Sequence, residues 1–188
     1  NSNFSTSFKV YEDLTRVYSD RYQYIFPDFR FDKRIDIPVS YDGTFDFSSY
    51  GYNKNYNTNI NESVLTNDFL YSSNDYITSN GLLTSYNILL KNSNSYANNS
   101  STFDENANYN LYGTLKIDTS LPLKRKFDEY IHYLKPVASL RYSPNGNKNI
   151  NDKDILLNYN NAFSLNRIGT SHQVEGGKSL SIGLEFKK

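Results

Sequence analysis

Residues 174–186 read VEGGKSLSIGLEF. Leu180, Ile182, Leu184 and Phe186 fall on one parity; Ser179, Ser181, Gly183 and Glu185 fall on the other. Alternation of this kind marks a strand with one apolar and one polar face. A sandwich strand usually has about five or six residues. A membrane-barrel strand needs about nine to eleven, and this stretch meets the longer length.

The same pattern recurs upstream. Tyr109, Leu111, Leu115 and Ile117 oppose Asn108, Asn110, Thr114 and Lys116, until Leu121-Pro122-Leu123 ends the run before the basic triplet Lys124-Arg125-Lys126. Residues 130–142 form another strand. Near the start, Phe4, Phe8 and Val10 alternate with Ser5, Ser7 and Lys9. Tyr22, Tyr24 and Phe26 share a face, Pro27 interrupts it, and Phe29 and Phe31 resume on the opposite parity, as a bulge or turn produces. Asp42-Gly43 signals a turn, followed by Phe45 and Phe47 in a strand reaching about residue 53. Residues 56–70 are polar on both faces for much of their length and are read as strand. Asn80-Gly81 is a hairpin signal between 69–78 and 82–91. Residues 91–106 are almost entirely Asn and Ser, which predicts a long exposed loop. Residues 155–163 leave room for one helical turn. The expectation is an all-β chain, an antiparallel meander of about 8–10 strands.

A β-sandwich and an outer-membrane barrel both fit such alternation. Strand length favours the barrel, with residues 1–188 as part of a single β-barrel domain. Tyr50, Tyr52, Tyr109, Tyr130 and Tyr142 at strand ends suit an interfacial aromatic band.

Composition agrees. Only 37% of residues are hydrophobic, yet 16% are aromatic, with 18 Tyr, 12 Phe and no Trp. Disordered chains are poor in aromatics, whereas Tyr, Phe and Thr fit a pleated surface. The 20 basic and 20 acidic residues are spread along the chain, without the basic stripe of a nucleic-acid footprint. The absence of cysteine excludes disulfides, thiolate metal sites and cysteine nucleophiles. No run of apolar residues is long enough for a transmembrane helix. The chain starts at Asn1 and has no Met, so an internal piece of a longer protein is expected.

No catalytic centre emerges, and the chain is read as a non-enzyme without cofactor. Gly177-Lys178-Ser179 resembles the end of a phosphate loop, but His172 stands where its first glycine belongs and a strand follows instead of a helix. His132 and His172 are the only histidines, and no Gly-x-Ser-x-Gly elbow accompanies them. The Asn145–Asp154 region lacks the order of an EF-hand. Lys116, Lys135, Arg141 and Glu185 project from polar faces. In a barrel they face the lumen, since Arg or Lys at the lipid midplane costs about 2–4 kcal/mol; in a sandwich they face water.

One region carries a family resemblance. Leu134-x-Pro136-x-Ala138, Tyr142-Ser143-Pro144-Asn145, Asn151 and Asp154 are followed by Asn161-x-Phe163, Asn166-Arg167-x-Gly169 and Glu175-Gly176-Gly177. In this order and spacing they resemble the middle of the barrel of the outer-membrane LPS-assembly family, LptD. Asp42-Gly43-x-Phe45 and Ser120-Leu121-Pro122-Leu123 also look familial. One departure is Ser171-His172, where the family usually carries Asp-Arg. The resemblance implies an outer membrane of a Gram-negative bacterium and lipopolysaccharide as cargo. It implies periplasmic LPS-transport bridge proteins and the plug lipoprotein LptE as partners. Lipid A leaves between the first and last barrel strands while the sugars cross the lumen. This chain is expected to supply barrel wall and extracellular loops, without the N-terminal jellyroll or either gate strand. A generic porin or channel and a secreted adhesion or carbohydrate-binding module are the alternatives.

Overall fold

The computed structural model describes residues 1–16, 18–38, 42–57, 59–127, 129–145 and 157–188. The strands are β1 (Ser2–Glu12), β2 (Tyr22–Ile35), β3 (Gly43–Tyr56), β4 (Ile60–Ser73) and β5 (Tyr76–Ile77), then β6 (Leu83–Asn98), β7 (Asn108–Ser120), β8 (Leu123–Phe127), β9 (Tyr130–Ser143) and β10 (Gly177–Lys187). A single 3-10 turn, Tyr18–Arg21, precedes β2. The ladder order is β1-β2-β3-β4-β6-β7-β9-β10, with β5 paired to β6 and β8 to β9. Apart from the short β5 and β8, sequence neighbours are therefore sheet neighbours, which is an antiparallel meander. The order ends on β1 at one side and β10 at the other. Among the described residues, no helix is long and apolar enough to cross a membrane.

The sequence signals explain the irregularities. Ser7 pairs with Asp28 and Lys9 with Ile25, so Phe26 and Pro27 together oppose Phe8. That two-against-one count is the bulge expected from the parity change at Pro27. The Phe26–Pro27 peptide is cis. At the Asn80-Gly81 turn, Gly81 has φ +79° and its amide donates to Thr78 O at 2.9 Å. A side chain at that φ would be strained, which explains the glycine. Pro136 sits inside β9 where the neighbouring strand changes: Val137 pairs with Ser120 of β7, and Leu134 with Leu123 of β8. At the changeover Leu121 donates to Pro136 O at 3.1 Å, a contact that needs no N–H from proline.

Three expectations need correction. Residues 91–98 are not loop: β6 continues through them to Asn98, and the loop is 99–107. Asn and Ser lack strand propensity, but propensity yields to a ladder partner; here β4 and β7 flank β6. The strand read over 56–70 begins at Ile60 and runs to Ser73, because a turn brings Asn59 N to Asn57 O at 2.7 Å. The final strand begins at Gly177 instead of Val174, which is buried in a small core. The basic triplet lies in β8. The turn expected near 155–163 is present in its described part, where Ala162 N donates to Asn158 O at 2.9 Å.

The chain forms two compact units: Asn1–Ile35 with Asp46–Phe69 and Leu90–Leu111, and Asp36–Phe45 with Leu70–Leu89 and Tyr112–Lys188. In the first, Phe47 stacks with Phe31 and Phe69 at centroid distances of 6.1 and 4.8 Å. Gly51 lets that sheet close up, since a Cβ there would stand 2.6 Å from Val64 O. In the second, Leu89, Tyr112 and Val174 form a core, with Leu70 and Leu165 against it. Burial of such side chains contributes about 1.5–3 kcal/mol each.

Candidate functional site

Many large apolar side chains are exposed while several polar ones are buried. Ile182 is 77% exposed, Leu111 69% and Leu180 64%, and Leu184, Phe186, Leu140, Leu90 and Phe69 are also exposed. Buried instead are Glu62, Thr66, Lys91, Ser93, Thr114, Ser139, Arg141 and Ser143. The register assigns these to faces. Leu180, Ile182 and Leu184 pair with Leu140, Ala138 and Pro136, while Ser179, Ser181 and Glu185 pair with Arg141, Ser139 and Lys135. On the other side of β9, Lys116 and Asp118 pair with Arg141 and Ser139. Lys116, Lys135, Arg141 and Glu185 therefore share one face, as their parity requires.

Within the first unit the covered charges are satisfied by the sheet itself. Lys91, 3% exposed, has its Nζ 2.6 Å from Asp68 Oδ1 and donates to Tyr50 OH at 3.0 Å. Glu62 accepts from Tyr56 OH at 2.8 Å and Ser100 Oγ at 2.6 Å, with Lys54 Nζ at 3.6 Å. A buried ammonium is tolerable only when paired and hydrogen-bonded in this way. Of the tyrosines singled out for an aromatic band, Tyr109, Tyr130 and Tyr142 are exposed, whereas Tyr50 and Tyr52 are half-buried, Tyr50 against Lys91.

In the second unit the polar face is covered by residues 157–176, which belong to no strand. Arg141, 3% exposed, donates from Nε to Leu165 O at 2.7 Å and from Nη2 to Glu175 O. Ser181 Oγ donates to Ala162 O at 2.7 Å. Arg167 forms a two-point ion pair with Glu175, with Nε–Oε2 at 2.7 Å, and Arg141 Nη1 stands 3.9 Å from the same carboxylate. The Arg167 hydrogen bond, together with the charges of Arg167 and Arg141, holds the Glu175 carboxyl below the usual carboxylate range. Asn166 Nδ2 donates to Thr170 O at 3.1 Å and Gln173 O at 2.9 Å, closing a turn through Gly169 at φ +66°.

The residues singled out by the familial pattern thus come together in part. Asn166, Arg167, Gly169 and Glu175 build one turn, with Arg141 as its contact on β9, and Gly176 leads into β10. Pro144 follows β9, and Asn145 Oδ1 accepts Gly113 N at 2.8 Å while Ser143 Oγ donates to Gly113 O at 2.8 Å. Side chains there replace ladder partners beyond the Leu115–Tyr142 pair. Pro136 lies away from this turn, in the β7-to-β8 changeover. Asn151 and Asp154 lie outside the described residues. Arg167, Glu175 and Arg141 make a charged contact in this segment.

Between the covering segment and the strands lies a cleft of about 540 Å³, lined by Lys116, Asp118, Lys135, Glu185, Tyr159 and Phe163 among others. Lys116 pairs with Asp118 at 2.7 Å and Lys135 with Glu185 at 3.7 Å, so its charges are compensated. Among the described residues, no group of three or more His, Cys, Asp or Glu is placed to hold a metal. His132 packs edge-on against Phe186 at 5.8 Å, as an aromatic neighbour. Gly177 opens β10, in keeping with a strand and not a phosphate loop.

Sequence reasoning missed Lys91, Asp68 and Glu62. A signal existed: the arms of a hairpin run together, so the 14-residue β4 requires a long β6. No protein family, curated protein or solved structure matches the chain.

Proposed function

We propose that this chain is a wall segment of an outer-membrane β-barrel that assembles lipopolysaccharide into the outer leaflet. One observation carries the membrane part: the sheet exposes many large apolar side chains, Leu180, Ile182 and Leu184 among them, while Glu62, Lys91 and Arg141 are buried. In water this arrangement opposes the hydrophobic effect across every outer strand. In lipid it is favourable, because the bilayer takes the place of the apolar core. The strands of 11 to 16 residues that carry the ladder also suit a tilted crossing.

The cargo assignment rests on the ordered residues from Leu134 to Gly177 that resemble the LptD family. Several of them meet in one turn beside Arg141, so the pattern corresponds to a built structure. On this reading lipopolysaccharide is the cargo, and LptE and the periplasmic bridge proteins are the partners. The location is a Gram-negative outer membrane, and the role is non-enzymatic.

The test is depletion of the full-length protein in its host, followed by assay of surface lipopolysaccharide. Surface loss with internal accumulation is the expected result. Normal surface lipopolysaccharide with altered small-solute uptake would replace this reading with a generic channel. Folding in water without detergent, with neither phenotype, would replace it with a secreted module.

A further inference from the structure

We propose that residues 157–176 are an inward-folded strap that narrows the lumen along β7, β9 and β10, with Arg141 as the latch. This rests on the barrel reading, in which the polar face borders the lumen.

An ordinary connecting loop leaves its backbone polar groups to water. This one hands carbonyls to the wall at three separated points: Ala162 to Ser181, and Leu165 and Glu175 to Arg141. It is therefore held along its length. Apolar contacts agree, for Val174 is buried with Leu89 and Tyr112. Gly183 makes room for Phe163, since a Cβ there would lie 2.9 Å from its Cζ.

Arg141 is the natural release point. Its single guanidinium ties two carbonyls ten residues apart in sequence, on either side of the turn closed by Asn166. Among the described residues, the strap belongs to no strand of the sheet. Release of the strap therefore leaves the β7-β9-β10 ladder paired, which is the condition for local opening without unfolding. The cleft already present beneath the strap would become part of the open lumen.

The chain has no cysteine, so a strap lock can be added cleanly as Ala162→Cys with Ser181→Cys. The experiment records single-channel conductance of the full-length protein in planar bilayers. The proteins compared are the unaltered one, R141Q, the cysteine pair, and the two combined. R141Q is expected to raise conductance at least about twofold, as removal of a constriction does. Oxidation of the cysteine pair in the R141Q background should return it to the unaltered level, and reductant should raise it again. Channels whose conductance ignores both R141Q and the oxidised pair would overturn the strap while leaving the barrel standing. Failure of every protein, including the unaltered one, to insert and conduct would overturn the barrel reading instead. Should R141Q fail to fold, the cysteine pair decides alone: a ready disulfide that lowers the open-state noise supports the strap, and one without effect refutes it.

Discussion

Two polar faces in this chain solve one problem differently. Along β3, β4 and β6 the covered charges find partners within the sheet, Lys91 with Asp68 and Tyr50, and Glu62 with Lys54, Tyr56 and Ser100. Along β7, β9 and β10 the covered guanidinium of Arg141 finds carbonyls of a segment outside the sheet. The first arrangement cannot come apart without loss of a buried ion pair. The second also loses the 3.9 Å contact of Arg141 with the Glu175 carboxylate, but its partner is a separable stretch of chain. The lesson is that a charge in a strand reveals little until its partner is known.

The sharpest way to break this comparison is Lys91→Ala. It strands Asp68 and should destabilise the folded barrel by about 3–5 kcal/mol, read as a lower urea midpoint for the full-length protein in detergent. A joint Lys91→Met and Asp68→Leu exchange should recover most of that loss, because a buried pair is often replaceable by apolar groups of similar volume. No recovery would place the role of the pair outside stability.

Next in size is the outward face. Ile182→Arg should cost about 2–4 kcal/mol if Ile182 faces the bilayer midplane, measured by folding into vesicles. A near-neutral result would mean that this face meets water.

Arg141→Gln should act locally. Hydrogen bonds to a charged group are worth about 1.5–3 kcal/mol each, and their loss should raise protease cleavage within 157–176 while the strand midpoint stays put. A global loss equal to that of Lys91→Ala would erase the distinction between the two faces.

The smallest effect is a pH dependence. The Glu175 carboxyl is lowered in the folded state by Arg167 first, with Arg141 on β9 adding to it. A depressed carboxylate contributes stability above its unfolded value and loses it as pH falls through the folded one. Protease protection of the strap should therefore be constant from neutrality down to about pH 4, the ordinary range of a glutamate, and fall below it. Glu175→Gln should flatten that profile.

Much of the architecture was legible from alternation alone. The β7, β9 and β10 strands, the Pro27 bulge and the Asn80-Gly81 turn each have a local cause that a sequence displays. What was hidden depends on neighbours. Residues 91–98 look like loop because Asn and Ser have no strand preference of their own, and only flanking ladders make them β6. Lys91 looked like the end of a strand, and its burial follows from Asp68, 23 residues earlier. The parity of Lys116, Lys135, Arg141 and Glu185 was readable. The cover over Arg141 was not, since no periodicity marks a segment that folds back by offering its carbonyls as acceptors. Asn166, Arg167 and Glu175 were visible as a pattern, and their geometry supplied the reason.

The most direct test of the central claim is residue-by-residue quenching across β10. Single cysteines placed in turn at positions 179–186 of the full-length protein, each carrying a fluorophore, would be exposed to brominated lipid and to a water-soluble quencher. Strong lipid quenching at 180, 182, 184 and 186, with none at 179, 181, 183 and 185, is the predicted result. Equal access of the water-soluble quencher to both sets would contradict the account, because the apolar face would then meet water.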